Sequence, residues 1–510
     1  MKEPDADQGR VTLADVARAT GAELGGGDPL AAVSDVTHDS RQARAGVLFV
    51  AIRGERFDAH EFVPRAVGQG AAGVVSERAR PAGFAGAWLR VADARRALAA
   101  AAAEVHRHPS RGLRLVAVTG TNGKTTTAHI VAAMAEAAGG RVAVMGTVGY
   151  RIGAEHFDAV HTTPEASDVQ RFLRRAVDAG CGVAVMESSS QALDLRRCDA
   201  LAVAAAVFTN LTQDHLDYHG TMETYYDAKR RLFDGRTGER PAVSIVNTDD
   251  AYGARLAAEL ANDGARVLTY AMNGEADVAA REIAYSLGGN RFELRTPVGA
   301  RRVTSPLVGA PHVYNVLAAA AAAHALGLPP DAVNRAVESC AGAPGRFERV
   351  AHAGDFAVVV DYAHTDDALR NVLRTAREVA AAGARVISVF GCGGDRDRTK
   401  RAPMGEAAAS LSDIVILTSD NPRTEDPEAI LRDAEAGLAA VGKPYLKFVD
   451  RREAIGRAIR EARGGDVVVI AGKGHETYQI VGETKTHFDD REVAREALAA
   501  RGLIKTEARP

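Results

Sequence analysis

Runs of apolar, often β-branched residues recur along this chain, and most give way to a polar or glycine-bearing loop that opens a helical pattern. Such alternation predicts parallel strands crossed over by helices. Residues 10–108 read as a small α/β unit. Its strands are expected at 47–51 and 73–75, with helices at 14–20, 63–69 and 92–106, the last ending before Pro109. From 113 to about 343 strands are predicted at 115–118, 142–146, 183–187, 201–208, 242–247 and 266–271. Residues 225–233 read as an amphipathic helix with Tyr226, Leu232 and Phe233 inward, and the alanine-rich run 317–328 as a buried helix. Beyond 344 the scheme repeats, with strands at 356–360, 386–390, 414–417 and 467–470.

At 510 residues the chain is too long for one core. The expectation is an α/β protein of three domains: a small N-terminal α/β domain (1–110), a central doubly wound, mostly parallel sheet (111–343) and a C-terminal Rossmann-like sheet (344–510). A composition of 46% hydrophobic and 25% charged residues is that of a globular protein, and a net charge of −3 gives no sign of a nucleic-acid-binding surface. The four cysteines form no CxxC pair, which argues against a disulfide framework or a zinc site and for a reducing cytoplasm. The polar start carries no signal-peptide core and no run is apolar enough to span a bilayer, so no membrane partner is expected. A monomer is expected.

The chemistry concentrates where strands end, as it does in doubly wound sheets. Strand 115–118 runs into Thr119-Gly120-Thr121-Asn122-Gly123-Lys124-Thr125-Thr126 and then a helix. Strand, glycine loop, Lys-Thr and helix make a phosphate cradle, with backbone N–H groups and the helix N-terminus facing the anion. It is a P-loop variant, because the position six before Lys124 is Val118 rather than glycine. Strand 183–187 ends at Glu187-Ser188-Ser189-Ser190, and strand 201–208 at Thr209-Asn210-Leu211 followed by Asp214-His215-Leu216-Asp217. A carboxylate and an imidazole near a P-loop suit a shared Mg²⁺ site. Taken singly, Glu187 reads equally well as a helix-cap neighbour and His215 as part of a capped loop. Asp39-Ser40-Arg41 and Gly54-Glu55-Arg56-Phe57-Asp58 taken alone are solvated turns, and nothing in the pattern separates Lys229 from a surface lysine. The four C-terminal strands end in Asp361-Tyr362-Ala363-His364, Gly391-Cys392-Gly393-Gly394-Asp395-Arg396-Asp397, Asp420-Asn421-Pro422-Arg423 and Gly472-Lys473-Gly474-His475-Glu476. These form a second crevice suited to a zwitterionic ligand, whose carboxylates Arg396 and Arg423 would grip.

Together with Tyr314-Asn315 and Pro344-Gly345-Arg346-Phe347-Glu348, these motifs resemble those of the Mur ligases, the amino-acid-adding ligases of bacterial cell-wall synthesis. The resemblance spans all three expected domains. It is strongest to the members that add a third residue to UDP-N-acetylmuramoyl-L-alanyl-D-glutamate, and Asp420-Asn421-Pro422-Arg423 resembles those that choose meso-diaminopimelate. It implies that Gly120, Thr121, Asn122, Gly123, Lys124, Thr125 and Thr126 hold ATP phosphates, with Asn315, Arg346 and Asp361 as further nucleotide contacts. It makes Lys124, Glu187, His215 and Lys229 catalytic. It implies that Thr125, Glu187, His215 and a carbamylated Lys229 serve two Mg²⁺ ions. Ser40, Glu55, Arg56, Phe57, Thr162, Thr163, Ser189 and Arg197 match positions that grip the UDP-sugar dipeptide. Arg396, Asp420, Asn421, Pro422, Arg423, Gly472 and Glu476 match the diaminopimelate pocket. Ser188, Gln191, Leu195 and His161 depart from the usual family residues. The implied activity is ATP-dependent amide ligation through an acyl phosphate in peptidoglycan synthesis. The alternatives are a lysine-adding or folylpolyglutamate-type ligase and a non-catalytic nucleotide-binding protein.

Overall fold

The structure is a computed structural model and describes residues 9–54 and 57–504. It is mixed α/β with largely parallel sheets, as the alternation of runs predicts, and the described residues form no closed barrel. The chain divides into two compact units, the first comprising residues 1–124, 131–270 and 318–333, the second 125–130, 271–317 and 334–510.

The first unit holds two sheets. One has five strands in the order Glu23–Gly25, Trp88–Arg90, Gly73–Ser76, Val47–Val50, Asp35–Thr37, parallel except at the first pair. Helix Leu13–Thr20 starts at a capping box, in which Thr12 and Asp15 satisfy each other's backbone N–H groups, and stops at the left-handed Gly21. The second sheet runs Val267–Ala271, Ser244–Asn247, Ala205–Phe208, Arg114–Thr119, Val183–Glu187, Val142–Gly146, all parallel. An antiparallel hairpin, Gly149–Ile152 with Glu155–Phe157, extends its edge. The sequence reading made this hairpin plain loop. The expected strand 201–208 is shorter, because Leu201 pairs with Gly238 and the Ala202 N–H goes to Ser110 Oγ instead of the sheet. Asp35 ties the smaller sheet to helix Ala166–Asp178 through Arg171 and also meets His106.

The second unit contains an antiparallel meander, Val278–Ser286, Gly289–Thr296 and Gly299–Ser305, which the search for buried apolar runs overlooked. Its outer strand is largely exposed, so its pattern is polar. The legible signals were the two-residue loops at 287–288 and 297–298, each followed by glycine. The alanine-rich run belongs to helix Ala310–Ala325, which begins earlier than read. The C-terminal sheet orders Glu348–Arg349, Ala357–Asp361, Val467–Ala471, Val386–Phe390, Ile414–Thr418, Tyr445–Phe448, parallel after the first pair. Both of its faces are buried, so its strands read as continuous apolar runs. Val359, Val469, Phe390 and Leu417 enter one core layer, while Val358, Ile470, Val389 and Ile416 enter the other. Among the described residues no helix is long and apolar enough to cross a membrane.

One ion pair braces this sheet. Arg451 and Asp490, each the first residue of a helix, are fully buried and joined in a bidentate pair with contacts of 2.8 and 2.7 Å. The guanidinium also donates to the carbonyls of Ser419 and Ala471. Removing one member leaves an uncompensated charge in the core. Asp490→Ala is expected to lower unfolding free energy by about 3–5 kcal/mol, read from urea denaturation followed by circular dichroism; a loss below about 1 kcal/mol would mean that the pair is not a brace.

Candidate active site

The loop after strand Arg114–Thr119 is shaped by segment 209–212. Asn210 Oδ1 accepts from Asn122 N at 2.9 Å, the Asn210 carbonyl accepts from Thr121 N, and Thr209 Oγ1 donates to the Asn122 carbonyl at 2.6 Å. Thr212 N donates to Thr121 Oγ1. Thr209 lies so close that a Cβ on Gly120 (φ +150°) would sit 1.8 Å from its hydroxyl. Gly123 is left-handed and hands the chain to helix Lys124–Ala137. Lys124 Nζ donates to the Gly120 and Thr121 carbonyls at 2.8 and 2.9 Å, closing the loop on itself. The result is a loop braced on segment 209–212 that leads directly into a helix N-terminus, the kind of place that receives phosphate.

Lys229, on helix Met222–Arg230, is buried and makes no ion pair among the described residues. Its ammonium lies 4.5 Å from the Tyr225 ring centroid. Loss of solvent, then the charge of Lys124, pulls its pKa well below that of an ordinary lysine, against the opposing pull of Asp214. Tyr225 connects this corner to the loop, its hydroxyl 3.2 Å from Thr121 Oγ1. His219 stacks on the Tyr225 ring and holds Ser190 Oγ at 2.9 Å. His215 stands at a left-handed position edge-on to the same ring and 3.5 Å from Asp214. Burial lowers its pKa, and the nearby Lys124 and Lys229 add to this against Asp214, favouring the neutral imidazole.

Glu187 is buried at its strand end. It accepts from Thr147 N at 2.8 Å and from Thr147 Oγ1 at 3.1 Å, and Thr147 Oγ1 in turn meets Thr162 Oγ1. Thr163 Oγ1 donates to the Glu187 carbonyl and accepts from Ser189 N. The structure therefore brings Thr162, Thr163, Glu187 and Ser189 together. Ser189 also caps helix Ser190–Asp194, and Arg197 pairs with Glu165 at 2.7 Å while donating to the Thr163 carbonyl. Ser40 is buried in a short turn capped by Asp39, and Phe57 is exposed. Glu55 and Arg56 lie outside the described residues. Among the described residues no group of three His, Cys, Asp or Glu side chains forms a ready-made cation site.

In the second unit, Asp361 accepts from the backbone N–H groups of Phe347 and Ala363, and burial pushes its carboxyl up against the pull of Arg346. Arg346 lies over Tyr362 and reaches Thr125 Oγ1 at 3.4 Å, while Asn315 Oδ1 accepts from Thr127 Oγ1. The other three strand ends interlock. A Cβ on Gly394 would lie 1.9 Å from the Pro422 carbonyl oxygen, and one on Gly472 would lie 2.5 Å from Asp420 Oδ2. Asn421 Nδ2 donates to Glu476 Oε2 at 2.9 Å, and Arg423 Nη1 donates to the Gly394 carbonyl at 2.8 Å. Arg396 is exposed beside them. Asp420, Glu476, Arg396 and Arg423, from three different strand ends, thus gather around Tyr478. Sequence reasoning missed Thr147, Tyr225 and Arg451 as supporting groups, and gave Asn210 and Lys473, which stand in its motif strings, no supporting role. Tyr225 left a signal of its own, being one helical turn from Lys229.

A P-loop variant on one parallel sheet and an ampholyte pocket on another define a ligase-type α/β protein. Residues 118–323 match the Mur ligase middle domain, 345–474 the glutamate ligase domain and 32–106 the Mur ligase catalytic domain, and the chain belongs to the Mur ligase family. It is 47% identical over 475 residues to UDP-N-acetylmuramoyl-L-alanyl-D-glutamate–2,6-diaminopimelate ligase of Solibacter usitatus, covering 93% of this chain and 95% of that one. To the enzyme of the same name from Geobacter metallireducens it is 46% identical, covering 94% and 97%. A solved structure of a ligase with that name superposes with a TM-score of 0.71 at 36% identity, over 97% of this chain and all of that one. A Thermotoga maritima MurF ligase in complex with ADP shares the fold at 19% identity, with a TM-score of 0.59, over 92% and 96%.

Gly120→Ala places a methyl inside the Thr209 hydroxyl. ADP affinity, measured by titration calorimetry, is expected to fall at least about tenfold; unchanged affinity would show that the loop does not form the anion site.

Proposed function

We propose that this protein is an ATP-dependent ligase that joins meso-diaminopimelate to the D-glutamate γ-carboxylate of UDP-N-acetylmuramoyl-L-alanyl-D-glutamate, in peptidoglycan synthesis. The observation that carries this reading is near-full-length identity of 44–48% to relatives of that name, joined to strand ends that gather Arg423, Arg396, Asp420 and Glu476 around Tyr478. Diaminopimelate carries two ammonium and two carboxylate groups, and a crevice with both signs of charge suits it. A lysine side chain has no distal carboxylate for Arg423 to hold, which disfavours the lysine-adding alternative.

A carboxylate is a poor acyl donor. Attack of its oxygen on the γ-phosphorus of ATP releases ADP and leaves an acyl phosphate. The neutral amine of the amino acid then forms the new N–C bond, phosphate departs with the C–O electron pair, and the amine surrenders a proton. The loop donors and Lys124 would stabilise the transferring phosphoryl group, with Asn315, Arg346 and Asp361 as further nucleotide contacts. Ser40, Thr162, Thr163, Ser189 and Arg197 would orient the UDP-sugar dipeptide. A buried carboxylate, a neutral imidazole, a hydroxyl and a carbamate are a donor set for hard cations, so Glu187, His215, Thr125 and Lys229 fit two Mg²⁺ ions. When bound, Mg²⁺ would offset phosphate charge. Burial beside Lys124 favours the unprotonated amine of Lys229. That form can add CO₂, gaining an N–C bond and losing a proton, which turns a would-be cation into an anionic oxygen ligand. On this reading the UDP-sugar goes to 1–110, ATP to 111–343 and the amino acid to 344–510, bounds within which the three family matches respectively fall.

Phosphate release from ATP with the UDP-sugar dipeptide is expected with meso-diaminopimelate and not with L-lysine or without amino acid. Release only with lysine would overturn the role of Arg423, and no release with either would overturn the ligase reading. Lys229→Ala is expected to abolish turnover even in high bicarbonate, and the wild type to show a carbamate ¹³C signal after ¹³C-bicarbonate labelling that the variant lacks. Near-normal turnover of the variant, or no signal in the wild type, would reject carbamylation.

A further inference from the structure

Lys473 lies under the amino-acid pocket with a side chain that is 0% exposed. It cannot reach a ligand in the crevice. Its Nζ instead donates to Asn421 Oδ1 at 3.2 Å and to Glu476 Oε2 at 3.3 Å, lies 4.0 Å from Asp420 Oδ1, and stands 5.5 Å from the Tyr478 ring centroid. Asn421 Oδ1 also accepts from Ile480 N at 3.0 Å, which fixes the amide so that Nδ2 points to Glu476 Oε2. Glu476 Oε2 thereby receives one charged and one neutral donor, whereas Oε1 takes no hydrogen bond among the described residues.

We propose that Lys473 is a positioning residue that locks Asn421 and Glu476 from beneath, so that Glu476 presents Oε1 as an ionised acceptor to an ammonium group of the amino-acid substrate. The proposal rests on the reading of this crevice as the amino-acid pocket. Burial and Asp420 push the Glu476 carboxyl up, and Lys473 is the principal opposing charge. The other titratable groups facing Glu476 are Arg451, Tyr362 and Tyr478. A lysine sealed under the pocket floor thus acts on substrate choice through the residue above it.

The test is a double-mutant cycle on steady-state kinetics. Lys473→Met keeps the stem and removes the charge. The KM for diaminopimelate is expected to rise about tenfold or more, with the KM values for ATP and the UDP-sugar dipeptide unchanged. The acid limb of kcat/KM for the amino acid is expected to move about one pH unit towards the alkaline side. Glu476→Gln should lose that limb, and adding Lys473→Met to it should change the amino-acid KM no further. Additive effects, or an unmoved limb, would overturn the proposal in favour of simple packing. If Lys473→Met fails to fold, the double variant, which removes both charges, is expected to fold; a double variant that also fails would make Lys473 purely structural. The Glu476 carboxyl can also be titrated by ¹³C NMR without any substrate, assigned by its loss in Glu476→Gln. A midpoint that rises in Lys473→Gln supports the inference and one that stays overturns it. A wild-type enzyme inactive with every amino acid would therefore defeat the functional reading while leaving Lys473 judged by its own titration.

Discussion

A cation withdrawn from water must find a counter-charge or give up its proton, and the way this chain meets that demand organises its chemistry. Among the described residues the buried lysines and arginines are Lys229, Arg401, Arg451 and Lys473. Three have carboxylate partners: Arg401 meets Glu425 and Asp433, Arg451 meets Asp490, and Lys473 meets Glu476. Each of the three also donates to a backbone carbonyl or side-chain amide at a strand end, on Gly393, Ser419 and Ala471, or Asn421. The paired cations are braces. Lys229 has an aromatic face and a neighbouring lysine in place of a carboxylate, and its ammonium form is disfavoured.

The parallel sheets supply the other half. Backbone donors and carbonyls accumulate at the carboxyl ends of the strands, where no further strand consumes them. The Thr209 hydroxyl, the Asn210 amide and the Thr212 N–H hold the loop at 120–124, and the Thr163 hydroxyl ties strand 183–187 to Ser189. Small residues permit such close approach. Gly120, Gly394 and Gly472 stand where a methyl group would strike a neighbouring oxygen.

What the sequence made legible follows from this division. Strands buried on both faces announce themselves as unbroken apolar runs, so 142–146, 183–187 and 386–390 were read at their observed bounds. The meander at 278–305 and the hairpins at 149–157 and 478–487 lie at sheet edges or apart from the large sheets, where half the side chains meet water and the apolar signal thins. Residues that touch the crevices sit in recognisable strings, such as Asp420-Asn421-Pro422-Arg423. Several of the groups that hold them do not: Thr147 and Asp490 act through contacts with residues 40 and 39 positions away, and no local pattern encodes those distances.

The loop at 420–423 is also sewn to hairpin Tyr478–Val481 with Thr484–His487. Arg423, left-handed at φ 53°, donates its N–H to the Ile480 carbonyl and accepts from Gly482 N, while Gln479 Nε2 donates to the Asp420 carbonyl. Two stretches remote in the chain thus form one heritable cassette. Any exchange of the tetrapeptide would have to carry the hairpin with it, since a transplanted tetrapeptide alone would arrive without the backbone that holds its arginine in the left-handed conformation.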